Sequence, residues 1–399
     1  MDGLTLISLV LGVPVLLVTG YLGVLALLAG RPKAPEYKSA SHNFAIVVPA
    51  HNEEANIEAT VASLRSLDYP AHRFEVVVVA DNCSDATAER ARAAGARVLE
   101  RQDPVHRGKG FALEHAFNVL LEEGKADALV VVDADTFASP NLLHAFAHRL
   151  YGGEVAVQAE YGVSNVHASW RTRLMTIALA MFHGVRSLAR ERLGLSAGLR
   201  GNGMCFSREL LLEHPHKAYG LVEDVEYGIT IGLGGHRVAY AYEAEVLGEM
   251  ASSSDGAASQ RKRWEGGRLA LLKARLFSLL GTAFRKQDPV CLDLALDLAV
   301  PPLSYVGLAV AFGLVVEGTR FLALGGEPSF SLGIWMASGV GLFLYVARGV
   351  QLSGLGARGW LMLLWAPVYV AWKLLLVRPW RREERWIRTT REAERRSED

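Results

Sequence analysis

Leu4 to Leu28 is an apolar stretch of about 25 residues with no charged side chain, enough helix to cross roughly 30 Å of hydrocarbon with some tilt. A cleaved leader carries its positive charge ahead of the apolar run, whereas Arg31 and Lys33 follow it here. The segment therefore reads as a retained membrane anchor. The bias of positive charge toward the cytoplasm then places the N-terminus outside and residue 31 onward inside.

Membrane-length segments return at Cys291 to Val316, Phe330 to Val350 and Trp360 to Val377. Arg378, Arg381, Arg382, Arg385, Arg388 and Arg391 crowd the residues after the last one, and exporting them is disfavoured. Trp360 to Val377 also contains Pro367 and Lys373, so it is expected to be an interfacial or re-entrant helix, leaving three crossings and a cytoplasmic tail. Asp293 and Asp297 fall on one helix face at the start of the second span, where they either face headgroups or line an acceptor path. Trp170 to Leu188 and Trp264 to Phe284 interleave arginine and lysine with apolar residues at helical spacing, as helices lying in the membrane plane do; a buried helix of the globular domain is the alternative for each.

Composition excludes other classes. With 42 basic and 42 acidic residues, the chain lacks the basic excess of a nucleic-acid binder. Cys83, Cys205 and Cys291 are odd in number and widely spaced, which indicates neither a disulfide framework nor a zinc site and fits a reducing compartment. His144 and His148 have the spacing of a metal pair but lack the acidic residue of a His-Glu-x-x-His motif, so surface helix positions are expected. A P-loop is missing, which argues against an ATP-driven transporter.

From about residue 43, short β-rich runs alternate with helical patterns. Strands are predicted at Phe44 to Pro49, Glu75 to Ala80, Arg97 to Glu100 and Ala128 to Val132, with helices over Ala55 to Leu67, Asp85 to Ala94 and Gly110 to Glu123. This alternation implies an α/β domain with a parallel sheet covered by helices on both faces, whose ligands bind beyond the strands' carboxyl ends. Polar clusters follow three strands there: Pro49-Ala50-His51-Asn52-Glu53-Glu54, Asp81-Asn82-Cys83-Ser84-Asp85 and Asp133-Ala134-Asp135. Turn and capping chemistry explains several of them singly. Three acidic clusters on one rim repel one another unless a cation intervenes, and a divalent metal is the economical answer.

With Arg107-Gly108-Lys109-Gly110, Gly201-Asn202-Gly203, Glu223-Asp224 and Gln260-Arg261-Lys262-Arg263-Trp264, these motifs resemble family-2 glycosyltransferases, specifically the membrane-integrated branch similar to cellulose, chitin and hyaluronan synthases and ceramide glucosyltransferases. The resemblance implies a GT-A-type, Rossmann-like mixed sheet with helices on both faces plus transmembrane and interfacial helices. It divides the chain into an anchor (1–30), a cytoplasmic catalytic domain (31–255), the Gln-x-x-Arg-Trp motif with an interfacial helix (256–290), C-terminal membrane segments (291–377) and a basic tail (378–399).

The resemblance also implies roles. Pro49, His51, Glu53, Asp81 and Lys109 would lie by the nucleotide sugar, while Asp133 and Asp135 would hold Mg²⁺ or Mn²⁺ against the donor diphosphate. Asp224, beside Glu223, would be the general base of an inverting transfer, and Arg263 would brace the diphosphate. Gly201, Asn202, Gly203, Gln260 and Trp264 would face the acceptor. Val222 stands where many relatives have threonine before the Glu-Asp pair. The implied activity is sugar transfer from a nucleotide-diphosphate donor, a UDP-sugar, to a lipid, lipid-linked or polysaccharide acceptor at the cytoplasmic face of the cell (inner) membrane. A processive synthase that oligomerises for export, or a non-catalytic nucleotide-sugar-binding subunit, are the alternatives.

Overall fold

The four predicted strands form the parallel half of the sheet. In the computed structural model, which describes residues 3–37, 40–251, 254–323 and 326–376, they are β1 (Phe44–Ala50), β2 (Phe74–Asp81), β3 (Arg97–Arg101) and β4 (Ala128–Val131), ordered β3-β2-β1-β4. Side chains alternate across a strand, which decides what each face packs. Ile46, Val48, Val76 and Val78 join the core with Ile57, Val61 and Leu64 of helix Ile57–Arg65, while Ala45, Val47, Val77 and Val79 meet Leu113, Ala116 and Leu120 of helix Lys109–Glu123 on the other face. Burial on both faces is why β1 and β2 read as continuous apolar runs.

The other half comprises β5 (Thr136–Ala138), β6 (Ala156–Val163), β7 (Met204–Ser207) and β8 (Ala239–Gly248), continuing as β4-β7-β6-β8-β5. β7 runs antiparallel to both β4 and β6, so the sheet is mixed.

Among the described residues three helices are long and apolar enough to cross a membrane: Gly3–Leu28, Leu303–Ala323 and Phe330–Leu352. The first and last pack at close range. A Cβ on Gly341 would lie 2.6 Å from the Thr19 carbonyl oxygen, so only glycine permits this approach.

Three membrane expectations change. Cys291 to Val316 is not one helix: Pro289–Ala299 ends before Pro301-Pro302 and the span begins at Leu303, because consecutive prolines lack the N–H groups that would continue the ladder. Trp170 to Leu188 is not an in-plane surface helix. It forms Trp170–Leu179, a π-helical turn over Ala180–Val185, and Arg186–Arg192, and packs between β6 and two of the membrane-length helices, with Arg186 and Arg190 buried. The helix predicted from Trp264 is longer, Ser254–Lys286, and contains the whole Gln260 to Trp264 motif. Phe277 and Phe284 are exposed on it.

Beyond Phe330–Leu352 the chain is broken into Ala357–Met362, a 3₁₀ turn at Leu363–Trp365, and Ala366–Leu376. Lys373 Nζ pairs with Glu265 at 2.6 Å and donates to Ser304 Oγ at 2.7 Å, which ties this region to the motif helix and to the second span. The arginines from Arg378 onward lie outside the described residues.

Candidate active site

The loops after β1, β2 and β3 are knitted by side chains onto backbone N–H groups. Asn52 and Asn82 both adopt left-handed φ, 54° and 52°, and asparagine tolerates that conformation better than most residues. Asn52 Oδ1 accepts from the Ser84 N–H at 2.8 Å, and Asn82 Oδ1 from the Asp103 N–H at 2.9 Å. Glu54 and Asp85 serve the same purpose, accepting from the Ala86 and Glu54 N–H groups. The acidic rim is thus partly turn chemistry. Asp81 is held by Arg101 at 2.7 Å, and its carbonyl oxygen contacts His51 Nδ1 at 2.7 Å.

The remaining carboxylates converge. Asp133 and Asp135 follow β4, and Glu223 and Asp224 occupy the first turn of helix Glu223–Leu233, where the positive end of the helix dipole favours negative charge. All four line one cavity of about 2140 Å³. Pro49, His51, Glu53, Asp81, Lys109 and Gly201 line it as well, and Gln260, Arg263 and Trp264 enter from helix Ser254–Lys286. Gly201 has φ of 80°, and a Cβ there would lie 3.4 Å from Asp224 Oδ2, so a side chain would be strained and would crowd that carboxylate.

Lys109 sits among the acids, with Nζ on Asp133 Oδ1 and the Gly201 carbonyl and 3.9 Å from Glu223. Burial alone would pull its pKa down, but the charges of Asp133 and Glu223 outweigh that and leave it raised. Burial pushes the Glu223 carboxyl up to about 7, Lys109 opposing and Asp224 adding to the shift. The Asp224 carboxyl is also raised by burial, against a hydrogen bond from the Val225 N–H and the charges of Lys109 and Arg200.

Stability should respond to Glu223. In the folded state it keeps a proton that the unfolded chain releases near 4.5, so its contribution is full below that pH and is lost as pH rises toward about 7, on the order of 3 kcal/mol in all. In metal-free, nucleotide-free protein Glu223→Gln is expected to melt increasingly above wild type between pH 5 and 8. A melting difference that does not vary with pH would refute this.

Asn202 and Gly203 do not line the cavity. Asn202 is fully buried: its Oδ1 accepts from the Asp133 N–H at 3.1 Å and its Nδ2 donates to Thr136 Oγ1 at 2.8 Å, bracing the loop that carries Asp133 and Asp135. Gly203, at φ 67°, lies against Val246 and Ala159. The glycine-flanked turn therefore supports the acidic loop, and of its three residues only Gly201 faces the cavity. His144 and His148, expected on the surface, are half-buried around Tyr37; the His144 ring stacks on it with centroids 5.5 Å apart. Sequence reasoning passed over Arg186, Arg200 and Arg268, all lining the cavity. For Arg200 the only signal was a charged residue placed immediately before the Gly201 turn.

Residues 42–267 match the family described as Glycosyltransferase like family 2. The chain belongs to glycosyltransferase family 2. Among curated members it is 26% identical over 262 residues to the probable glycosyltransferase YdaM of Bacillus subtilis, covering 62% of this chain and 61% of that protein. It is 30% identical over 238 residues to a beta-monoglucosyldiacylglycerol synthase of Synechocystis, covering 56% and 47%. The chain thus spans roughly half to three-fifths of those relatives' lengths. A mannosyltransferase of Pyrobaculum calidifontis, solved with GDP-Man and Mn²⁺, superposes with a TM-score of 0.58 at 18% identity, over 93% of this chain and 99% of that one. The mixed sheet is of GT-A type, and its three apolar helices fit the membrane-integrated branch of the family.

Proposed function

We propose that this family-2 member transfers a hexosyl or N-acetylhexosaminyl group from a nucleotide-diphosphate donor, a UDP-sugar, to a lipid, lipid-linked or polysaccharide acceptor at the cytoplasmic face of the membrane, with inversion. One observation carries the proposal: Asp133, Asp135, Asp224 and Arg263 line a single cavity that continues between apolar helices, where Leu303, Gly307 and Leu308 also line it. The names of the Synechocystis and Pyrobaculum proteins, a glycolipid synthase and a mannosyltransferase, support it.

The carboxylates of Asp133 and Asp135 are hard oxygen donors suited to Mg²⁺ or Mn²⁺, and the Lys109 ammonium resting on Asp133 marks the spot as one that accepts positive charge. A bound divalent ion there would neutralise charge on the departing diphosphate. Arg263 has no ion pair among the described residues, so its guanidinium is available to phosphate oxygens. Asp224 takes the proton of the acceptor hydroxyl as its oxygen attacks the anomeric carbon from the side opposite the leaving group. Trp264, packed against the cluster of Val163, Met175, Leu179 and Met250, gives the acceptor an apolar wall. Polymer extension, the second reading, rests on the Gln260-x-x-Arg263-Trp264 motif.

Purified protein in native lipid, supplied with Mg²⁺ or Mn²⁺ and a panel of nucleotide sugars, is expected to release a nucleoside diphosphate and give a product visible by mass. One added sugar on a lipid identifies glycolipid synthesis, and a ladder identifies a polymerase. Absence of product with every donor would overturn the proposal.

A further inference from the structure

The cavity is roughly twice the upper end of the ~300–1,000 Å³ usual for one small ligand, so it has room for an acceptor beside a donor. Below Asp224 its wall is basic. The π-helical turn at Ala180–Val185 projects the ring of Phe182 into a space shared by three guanidinium groups, with Arg200, Arg186 and Arg268 centred 4.5, 4.7 and 5.4 Å from the ring centroid. Arg190 lies behind them, fully buried.

Among the described residues only two carboxylates form ion pairs with these cations. Asp297 is shared by Arg186 at 2.7 Å, Arg190 at 2.8 Å and Arg268 at 3.4 Å, and Asp293 takes the other side of Arg190 at 2.8 Å. Arg200 is left over. Its side chain reaches the Ala197 carbonyl and Ser187 Oγ, but Nε has no hydrogen-bond partner and the residue forms no ion pair among the described residues, although it is only 7% exposed. Burial, with Arg190, Arg186 and Arg268 outweighing Asp297, pulls its pKa down to about 10. A buried cation without an ion-pair partner is costly, which suits a site completed by an anionic ligand.

We propose that Arg200, with Arg186 and Arg268 around Phe182, is a subsite for the phosphate of a membrane lipid, and that the acceptor is a phosphate-bearing lipid. This deepens the transfer reading above and rests on it. The location favours a lipid over a soluble anion. Tyr345, from the span Phe330–Leu352, accepts from Arg186 Nε at 2.9 Å, and Tyr21, from Gly3–Leu28, accepts from Arg190, so the cluster sits where two membrane-length helices meet the sheet domain. Beyond it the cavity is walled by Leu303, Leu308, Leu342 and Val346, which suit acyl or prenyl chains. Arg200 directly precedes Gly201, the residue packed against Asp224, so a phosphate held there places the headgroup beside the base.

The test titrates the full chain in detergent with farnesyl phosphate, dioctanoylphosphatidylglycerol and dioctanoylglycerol, reading binding by native mass spectrometry. At least one phosphate lipid is expected to bind more tightly than dioctanoylglycerol, and the stronger of the two tells a monoester source from a diester one. Arg200→Gln is expected to weaken phosphate-lipid binding by about tenfold or more and leave dioctanoylglycerol unchanged, while Arg200→Lys, which keeps charge but not the paired donors, restores part of the affinity. If Arg200→Gln does not fold, a severalfold loss in Arg200→Lys carries the same information. Unchanged phosphate-lipid affinity in the variants, or dioctanoylglycerol binding wild type as tightly, would overturn the inference. UDP and GDP binding by wild type, measured in parallel, reports on the donor site separately, so its failure would count against the transfer reading instead.

Discussion

Asp224→Asn is expected to lower sugar transfer by about 10³-fold while leaving nucleoside diphosphate affinity near wild type. The amide keeps the shape of the side chain and its place in the first turn of helix Glu223–Leu233, but it cannot take a proton from the acceptor hydroxyl. Burial raises the Asp224 carboxyl above its usual range, so the base is fully ionised only at higher pH than an ordinary aspartate. The acid limb of kcat/KM should accordingly lie above the usual aspartate range in wild type and disappear in the variant. Turnover within tenfold of wild type would remove Asp224 from the base role. Loss of nucleotide binding alongside turnover would show instead that the change had disturbed the neighbouring Lys109 and Asp133 pair.

The parallel half of the sheet was legible because its strands are buried on both faces: β1, β2 and β4 are near-continuous apolar runs, and polar clusters mark where each ends. The cavity-lining residues were legible for a related reason, since the rim at the strands' carboxyl ends gathers residues far apart in the chain. The mixed half was not. β7 inserts between β4 and β6 through pairings such as Val130 with Cys205, and nothing local in Met204–Ser207 specifies a partner that distant. Asn202 misled for a different cause: beside two glycines it read as a ligand-facing turn, whereas its amide is consumed by Asp133 and Thr136. Hydropathy likewise averaged through Pro301-Pro302 and fused a short helix with a span.

Trp170 to Leu188 reads either as a helix in the membrane plane or as a buried helix, and its interleaved arginines do not decide between the two, because charge at helical spacing ordinarily means water or lipid surface. The counter-charges of Arg186 and Arg190 lie on Pro289–Ala299, about a hundred residues later, and Asp293 and Asp297 point inward to meet them. Both expected roles for that acidic pair change as a result. The carboxylates neither face headgroups nor line an open path; they hold the short helix to the sheet domain.

Removing that anchor should be costly. Asp297→Asn is expected to lower the melting temperature of detergent-purified protein by on the order of 5 °C or more, since breaking a buried ion pair typically costs about 3–5 kcal/mol. Burial by itself would raise the Asp297 pKa, yet Arg190, Arg268 and Arg186 hold it well below the usual carboxylate range, so its charge is present at any working pH. The amide would leave these guanidiniums, none of which can lose its proton, facing one another with Asp293 as their remaining carboxylate. Asp293→Asn should do less, because among the described residues Asp293 makes direct contacts only with Arg190 and the Tyr21 hydroxyl. The ordering is therefore the sharper test: equal losses for the two variants, or a melting point for Asp297→Asn within a degree of wild type, would mean that the arginines are neutralised by something other than this pair.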